Sequence, residues 1–303
     1  MVEVRNVRKT FAETVAVESV SFTATPGGVF GLIGPNGAGK STTIRMIMNI
    51  FRPDAGEVLF DGHQITEEDK NRIGYLPEER GLYKTVTVNE MLIYLAKLKG
   101  ATAGDAQKRI DTWLERFKLS EWKHKKIDEL SKGMSQKVQF IASIAHDPDI
   151  VFFDEPFSGL DPVSSDLMRD IILELGQTGR TVLISTHIME HAEKICSDIV
   201  LINRGREVVA GPLRTVKEKY GHRSVIVEFD GDAGIFESME DVHVVSGYPR
   251  YVELRLDGAL SPDELLSRIA GRLSITRFEV ATPSLHRIFV EQVGTEEQPN
   301  ELH

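Results

Sequence analysis

The chain of 303 residues has a formal net charge of −10, with 41% hydrophobic and 27% charged residues and a single cysteine, Cys196. That balance is globular: no window reaches the roughly 18–20 apolar residues of a membrane-spanning helix. An acidic surface also argues against broad nucleic-acid binding, and no nucleic-acid partner is expected. One cysteine excludes an internal disulfide, and residues 1–7 alternate like a strand without the basic start and apolar core of a signal peptide. The expected compartment is therefore the cytosol.

From Val2 to Phe22 the spacing predicts short strands (Val2, Val4 and Val7; residues 14–17; residues 20–22) before the turn Pro26-Gly27-Gly28, together an antiparallel flap. Phe11 stands on its turn side, where a ring could either pack into the core or stack on a nucleotide base. A short apolar strand at 29–33 then runs into Gly34-Pro35-Asn36-Gly37-Ala38-Gly39-Lys40-Ser41-Thr42, followed by Ile44, Ile47, Met48 and Phe51 at helical spacing. Strand, G-x-x-x-x-G-K-S and helix make a phosphate-binding loop. The glycines permit a tight turn whose N–H groups point inward, and the helix N-terminus adds partial positive charge on the same spot. Lys40 would reach the β and γ phosphates, and the Ser41 hydroxyl would ligate Mg²⁺. Pro53-Asp54-Ala55-Gly56 is expected to end the helix and lead into a strand at 57–60.

Ile73-Gly74-Tyr75-Leu76-Pro77 reads as a strand stopped by proline, leaving Glu78-Glu79-Arg80 on an exposed loop. Helical patterns at 88–100 and 106–117 follow, with Met91, Leu92, Leu95 and Leu98 on one face and Ile110, Trp113, Leu114 and Phe117 on the other. Ser131 is placed to cap a third helix whose inner face is Val138, Ile141, Ala142 and Ala145. These form a helical insertion. Next, Ile150-Val151-Phe152-Phe153 makes a strand apolar on both faces, with Asp154 and Glu155 at its C-terminal edge, where ligands bind in open α/β sheets. Paired carboxylates there are costly unless a metal or proton compensates. Asp154 is therefore predicted to hold Mg²⁺, directly or through water, and Glu155 to polarise a water for attack on the γ-phosphate.

Residues 158–162 turn into a helix at 165–175, and residues 181–186 form another buried strand with His187 at its end. That histidine is either structural or a γ-phosphate contact. A hairpin at 199–203 and 207–210 closes the unit. Beyond a charged helix to Tyr220, strands at 224–229, 251–256 and 275–282, a helix opened by Ser261-Pro262-Asp263-Glu264 and a last helix from Pro283 predict a small α+β accessory domain over 221–293. It carries no catalytic constellation, and a frayed tail is expected from Gly294.

These motifs, in this order, closely resemble the ATPase subunit of an ATP-binding cassette (ABC) transporter over residues 1–211, which implies an α/β P-loop NTPase fold with antiparallel flap and helical subdomain (about 85–147) inside a cassette domain at 1–220. In that family Gly34 to Thr42 corresponds to the Walker A loop, Ile150 to Asp154 to Walker B, Glu155 to the catalytic glutamate, His187 to the switch histidine and Ser158 to Asp161 to the D-loop. Phe11 falls at the adenine-stacking position. The resemblance implies ATP and Mg²⁺ as cofactors, and a head-to-tail pair of cassettes, a homodimer, in which Ser131 and Gly133 of one copy meet the γ-phosphate held by the other. Two residues of the signature depart from Leu-Ser-Gly-Gly-Gln, Lys132 and Met134, and Glu78 stands where the family has a glutamine. A carboxylate there can still meet Mg²⁺ or water but cannot donate as an amide does. The run from Gly74 to Tyr83, with Lys132, is similar to cassettes serving ABC-2 type exporters. The implied partner is a separate ABC-2 type membrane permease, with this chain cytoplasmic and peripheral to the membrane through it. A soluble cassette acting on nucleic acid or a ribosome is the alternative; the acidic balance and the single cassette without heptads count against it. An ATP sensor without turnover is a second, against which Glu155 and His187 argue.

Overall fold

The computed structural model describes residues 1–79, 81–220, 224–257, 260–281 and 283–296. The chain divides into two compact units, Met1–Leu213 and Arg214–His303.

In the first unit the elements are β1 (Val2–Phe11), β2 (Thr14–Ala24), β3 (Gly28–Ile33), α1 (Lys40–Ile47), β4 (Ala55–Phe60), β5 (Ile73–Leu76), α2 (Val88–Leu98), α3 (Ala103–Arg116), α4 (Lys132–Ile144), β6 (Ile150–Asp154), α5 (Pro162–Gln177), β7 (Thr181–Thr186), α6 (Met189–Ile195), β8 (Asp198–Asn203) and β9 (Arg206–Pro212). Nine strands run in the order β4-β1-β2-β9-β8-β3-β7-β6-β5. The half from β8 to β5 is parallel and the flap from β4 to β2 antiparallel; β9, antiparallel to β8, meets the flap through a parallel bridge from Arg206 to Ser19. Every residue of β6 and of β7 is buried, as expected for strands covered on both faces by helices. The core formed by Val4, Phe22, Phe30, Leu32, Ile44, Ile47 and Phe152 joins flap, first helix and central strands into one apolar mass.

Several details differ from the sequence reading. The flap's second strand is continuous through Glu18 and Ser19, where a register shift against β1 changes the buried face from Val17 to Val20. The helix after the glycine loop stops at Ile47, with Asn49 in the left-handed region at φ 55°, so the break precedes Phe51 and the proline. Leu98 is 60% exposed at the end of α2 rather than on its inner face. Helix α5 begins at Pro162 because the Asp161 side chain accepts from the Ser164 N–H and proline suits the first helical position. Helix α6 was not anticipated; seven residues give too little periodicity to register.

The second unit contains α7 (Leu213–Tyr220), β10 (Ser224–Asp230), α8 (Gly234–Glu237), β11 (Val242–Tyr248), β12 (Tyr251–Leu256), α9 (Pro262–Ile269), β13 (Ser274–Ala281) and α10 (Leu285–Glu296). Its antiparallel sheet runs β11-β12-β10-β13, and Val225, Val227, Phe229, Leu254, Phe236, Leu265 and Ile269 share its core. Ser261 and Glu264 form the reciprocal capping box their spacing predicts. Strand β11 was not anticipated, since Val244 and Val245 break the alternation at a register shift. Residues 294–296 belong to α10 rather than to a tail; residues 297–303, Arg80 and Thr282 lie outside the described residues. Among the described residues no helix is long and apolar enough to cross a membrane.

Candidate nucleotide site

The glycine loop is built by close packing. A methyl added at Gly34 would come within 2.1 Å of the Ile202 carbonyl, and one at Gly39, at φ 105°, within 2.6 Å of the Ala16 carbonyl. Only glycine therefore lets the loop pass under β8 and against the flap. The backbone is tied from both sides: Gly34 N–H donates to Thr186 O (3.2 Å), Gly205 N–H to Ala38 O (2.9 Å) and Ala38 N–H to Pro35 O (3.2 Å). Lys40, the first residue of α1, is buried and folds back over the loop, its Nζ donating to Gly34 O (2.9 Å) and Pro35 O (3.2 Å) and standing 3.5 Å from Glu155 Oε1. A cavity of about 240 Å³ opens there, lined by Ala16, Asn36, Gly37, Gly39, Lys40, Ser41, Thr42, Glu78 and Glu155.

Behind it stand the two carboxylates. Asp154 is 1% exposed; its Oδ1 accepts from the Ser185 hydroxyl, while Oδ2 is buried with no hydrogen-bond partner among the described residues. Burial holds its carboxyl above the usual carboxylate range, aided by the neighbouring Glu155 charge and opposed by the hydroxyls of Ser185 and Ser41. Glu155 takes the left-handed conformation at φ 49°, uncommon without glycine, and is held in it by its N–H donating to Ser185 O and Oγ, each at 3.2 Å. The turn aims Glu155 Oε1 at His187, which meets it through its backbone N–H (3.0 Å) and Nδ1 (2.9 Å). An imidazole and an ammonium thus converge on one oxygen, Glu155 Oε1.

Asp154 carries a testable cost. Folding raises its affinity for a proton, so this group's stabilising contribution is present below the unfolded pKa of about 4 and is lost as pH rises through the folded value. At neutral pH the ionised form is strained. Asp154→Asn is expected to raise the unfolding midpoint at pH 7.5 by about 2–4 °C, for roughly 1 kcal/mol relieved, while ATP turnover falls about 100-fold or more. A midpoint lowered in calorimetry would remove the strain argument.

The remaining expected positions lie elsewhere. Ser131 is exposed and caps α4 by accepting from Met134 N–H (3.3 Å). Gly133 sits against Gly159, and the Asp161 carboxylate is engaged by Ser164 N–H (3.0 Å) and Oγ (2.6 Å). None of the three lines the cavity. The Phe11 ring, 40% exposed, packs edge-on against Phe51 at 5.1 Å with Lys9 over it, also off the cavity lining. Sequence reasoning missed Ser185, whose hydroxyl braces Asp154, and Ala16, which forms the cavity wall; a serine near the edge of a fully buried apolar strand was the one legible signal.

A mixed sheet with a P-loop at the tip of its central strand, paired acids on the next strand but one, an antiparallel flap and a helical insertion define a nucleotide-hydrolysing cassette. The ABC transporter family model matches residues 17–158, and that of the ATP-binding protein DrrA1-3-like C-terminal domain matches residues 211–293. Among curated proteins the chain is 39% identical to the uncharacterized ABC transporter ATP-binding protein YhaQ of Bacillus subtilis, over 97% of this chain and 99% of that one. It is 32% identical to the linearmycin resistance ATP-binding protein LnrL of the same organism (97% and 98%) and 31% identical to the Nod factor export ATP-binding protein I of Burkholderia lata (98% and 98%). Of solved structures, an ATP-binding subunit of an ABC transporter is similar at TM-score 0.68 and 30% identity, covering 73% of this chain and 93% of that one. The dimeric form of a bacterial ABC transporter cassette is similar at TM-score 0.65 and 26% identity (71% and 99%). The chain belongs to the ABC transporter ATP-binding proteins, and it is an ATPase of that family.

Proposed function

We propose that this chain binds MgATP at the Gly34–Thr42 loop, pairs with a second copy around it, and hydrolyses it to drive a separate ABC-2 type permease that exports its substrate, working at the cytoplasmic face of the membrane. The observation that carries the reading is the buried Asp154 carboxyl, which Ser41 reaches and whose Oδ2 has no hydrogen-bond partner among the described residues, together with Glu155 held by Lys40 and His187. An unpartnered anionic oxygen next to a hydroxyl suits a divalent cation that keeps phosphate and water ligands, and among the described residues no group of three or more acidic, His or Cys side chains could hold a metal by itself. Ser41, Asp154 and Glu78 would hold Mg²⁺, which when bound neutralises charge on the β and γ phosphates.

Lys40 and the loop N–H groups of Gly37, Gly39, Lys40 and Ser41 bind the phosphates; Asn36 and Thr42 border them, and Phe11 supplies a stacking face on its exposed side. Glu155 accepts the proton of the attacking water, and His187, fixed through Nδ1, turns Nε2 toward the γ-phosphate. Ser131 and Gly133 are free of the cavity in one chain, so a second copy supplies them, with Asp161 beside the shared interface. The export reading draws on the linearmycin resistance and Nod factor export relatives, and the accessory domain at 221–293 accompanies it. The test is expression with candidate six-span permeases and purification from membranes: stoichiometric recovery with one permease, and ATP turnover stimulated by it, are expected. A chain that hydrolyses ATP but never partitions with any permease would overturn the transport role.

A further inference from the structure

Helix α4 does more than present Ser131. Gln136 and Gln139, one turn apart on its buried face, are 3% and 4% exposed, and each donates its amide to a loop that carries an acid to the nucleotide cavity. Gln136 Nε2 bonds Pro156 O (3.2 Å), one residue beyond Glu155. Gln139 Nε2 bonds Pro77 O (3.3 Å) and Glu79 O (3.1 Å), the carbonyls on either side of Glu78. Both neighbours of that nitrogen are acceptors, so the amide orientation is determined by its partners. The approach is enabled by Gly74, where an added methyl would come within 2.1 Å of Ser143 O on the same face of α4. Only a bare backbone lets helix and strand close far enough for the glutamine to straddle the turn.

We propose that Gln139 is a positioning residue for Glu78, setting the backbone of the Pro77–Glu79 turn so that Glu78 lines the nucleotide cavity. Since Ser131 caps α4, the same helix joins the signature end to the Glu78 turn about two helical turns away. This rests on the ATPase reading above. Among the described residues Gln139 Oε1 has no partner and is buried, which fits an amide retained for its donors alone.

The test is Gln139→Met, of similar length without donors, alone and with Glu78→Ala, with Gln139→Ala as the second choice if the first does not fold. Gln139→Met is expected to lower kcat for phosphate release about tenfold with KM for ATP within about twofold, and to cost less than about twofold in the Glu78→Ala background, because residues acting through one another are not additive. Amide hydrogen exchange across the Pro77–Glu79 turn should accelerate in Gln139→Met without ATP, while exchange in β6 and β7 is unchanged. Equal losses in both backgrounds, or unchanged exchange at the turn, overturn the proposal. If Glu78→Ala has no measurable turnover, exchange alone decides. A parent protein no more active than its Lys40→Ala variant would instead sink the ATPase reading, leaving the exchange result to judge the clamp.

Discussion

Glu155→Gln is expected to reduce steady-state ATP hydrolysis by about 10²–10⁴-fold, the range of a lost general base, which corresponds to roughly 3–5 kcal/mol of barrier. Glutamine preserves the volume and can still accept from the His187 N–H, 3.0 Å away, so the left-handed turn held by Ser185 should survive. It loses the basicity that takes the proton from water. It also removes a negative charge 3.5 Å from Lys40, freeing that ammonium for phosphate, so ATP affinity should hold or rise. The variant should therefore accumulate an ATP-bound dimer, read by size-exclusion chromatography with light scattering. Parent-like phosphate release would sink the assignment of Glu155, and a variant that stays monomeric with ATP in the presence of its permease would remove the case for a shared site.

The second large effect is expected at Lys40. Lys40→Ala should lower kcat/KM for ATP by about 10²–10³-fold, mostly through binding, since a buried ammonium aimed at the phosphates acts in ground and transition states alike. Folding should suffer less. Glu155 keeps two donors from His187, and truncating Lys40, which lines the cavity, opens a path for water to the carbonyls of Gly34 and Pro35 that it leaves. Equilibrium binding of a fluorescent ATP analogue separates the cases: loss of affinity with an unfolding midpoint near the parent's supports the phosphate role. Normal hydrolysis would refute the site.

Sequence alone determined the parts whose physics is local. Glycines spaced for a phosphate loop, four apolar residues before paired acids and serine caps before helices each express a backbone or side-chain requirement within a few neighbouring residues, and each stands where it was expected. What the tertiary structure decided are relations between distant segments. That Ser185 braces Asp154, that Ala16 of the flap walls the cavity, and that Gln139 reaches both carbonyls around Glu78 follow from strand order and helix approach, which no local pattern encodes. The same holds for Ser131 and Gly133. Their spacing marks a capped helix start, but only the fold shows that this start is absent from the cavity lining of its own chain, because α4 packs against β5, α2 and α3.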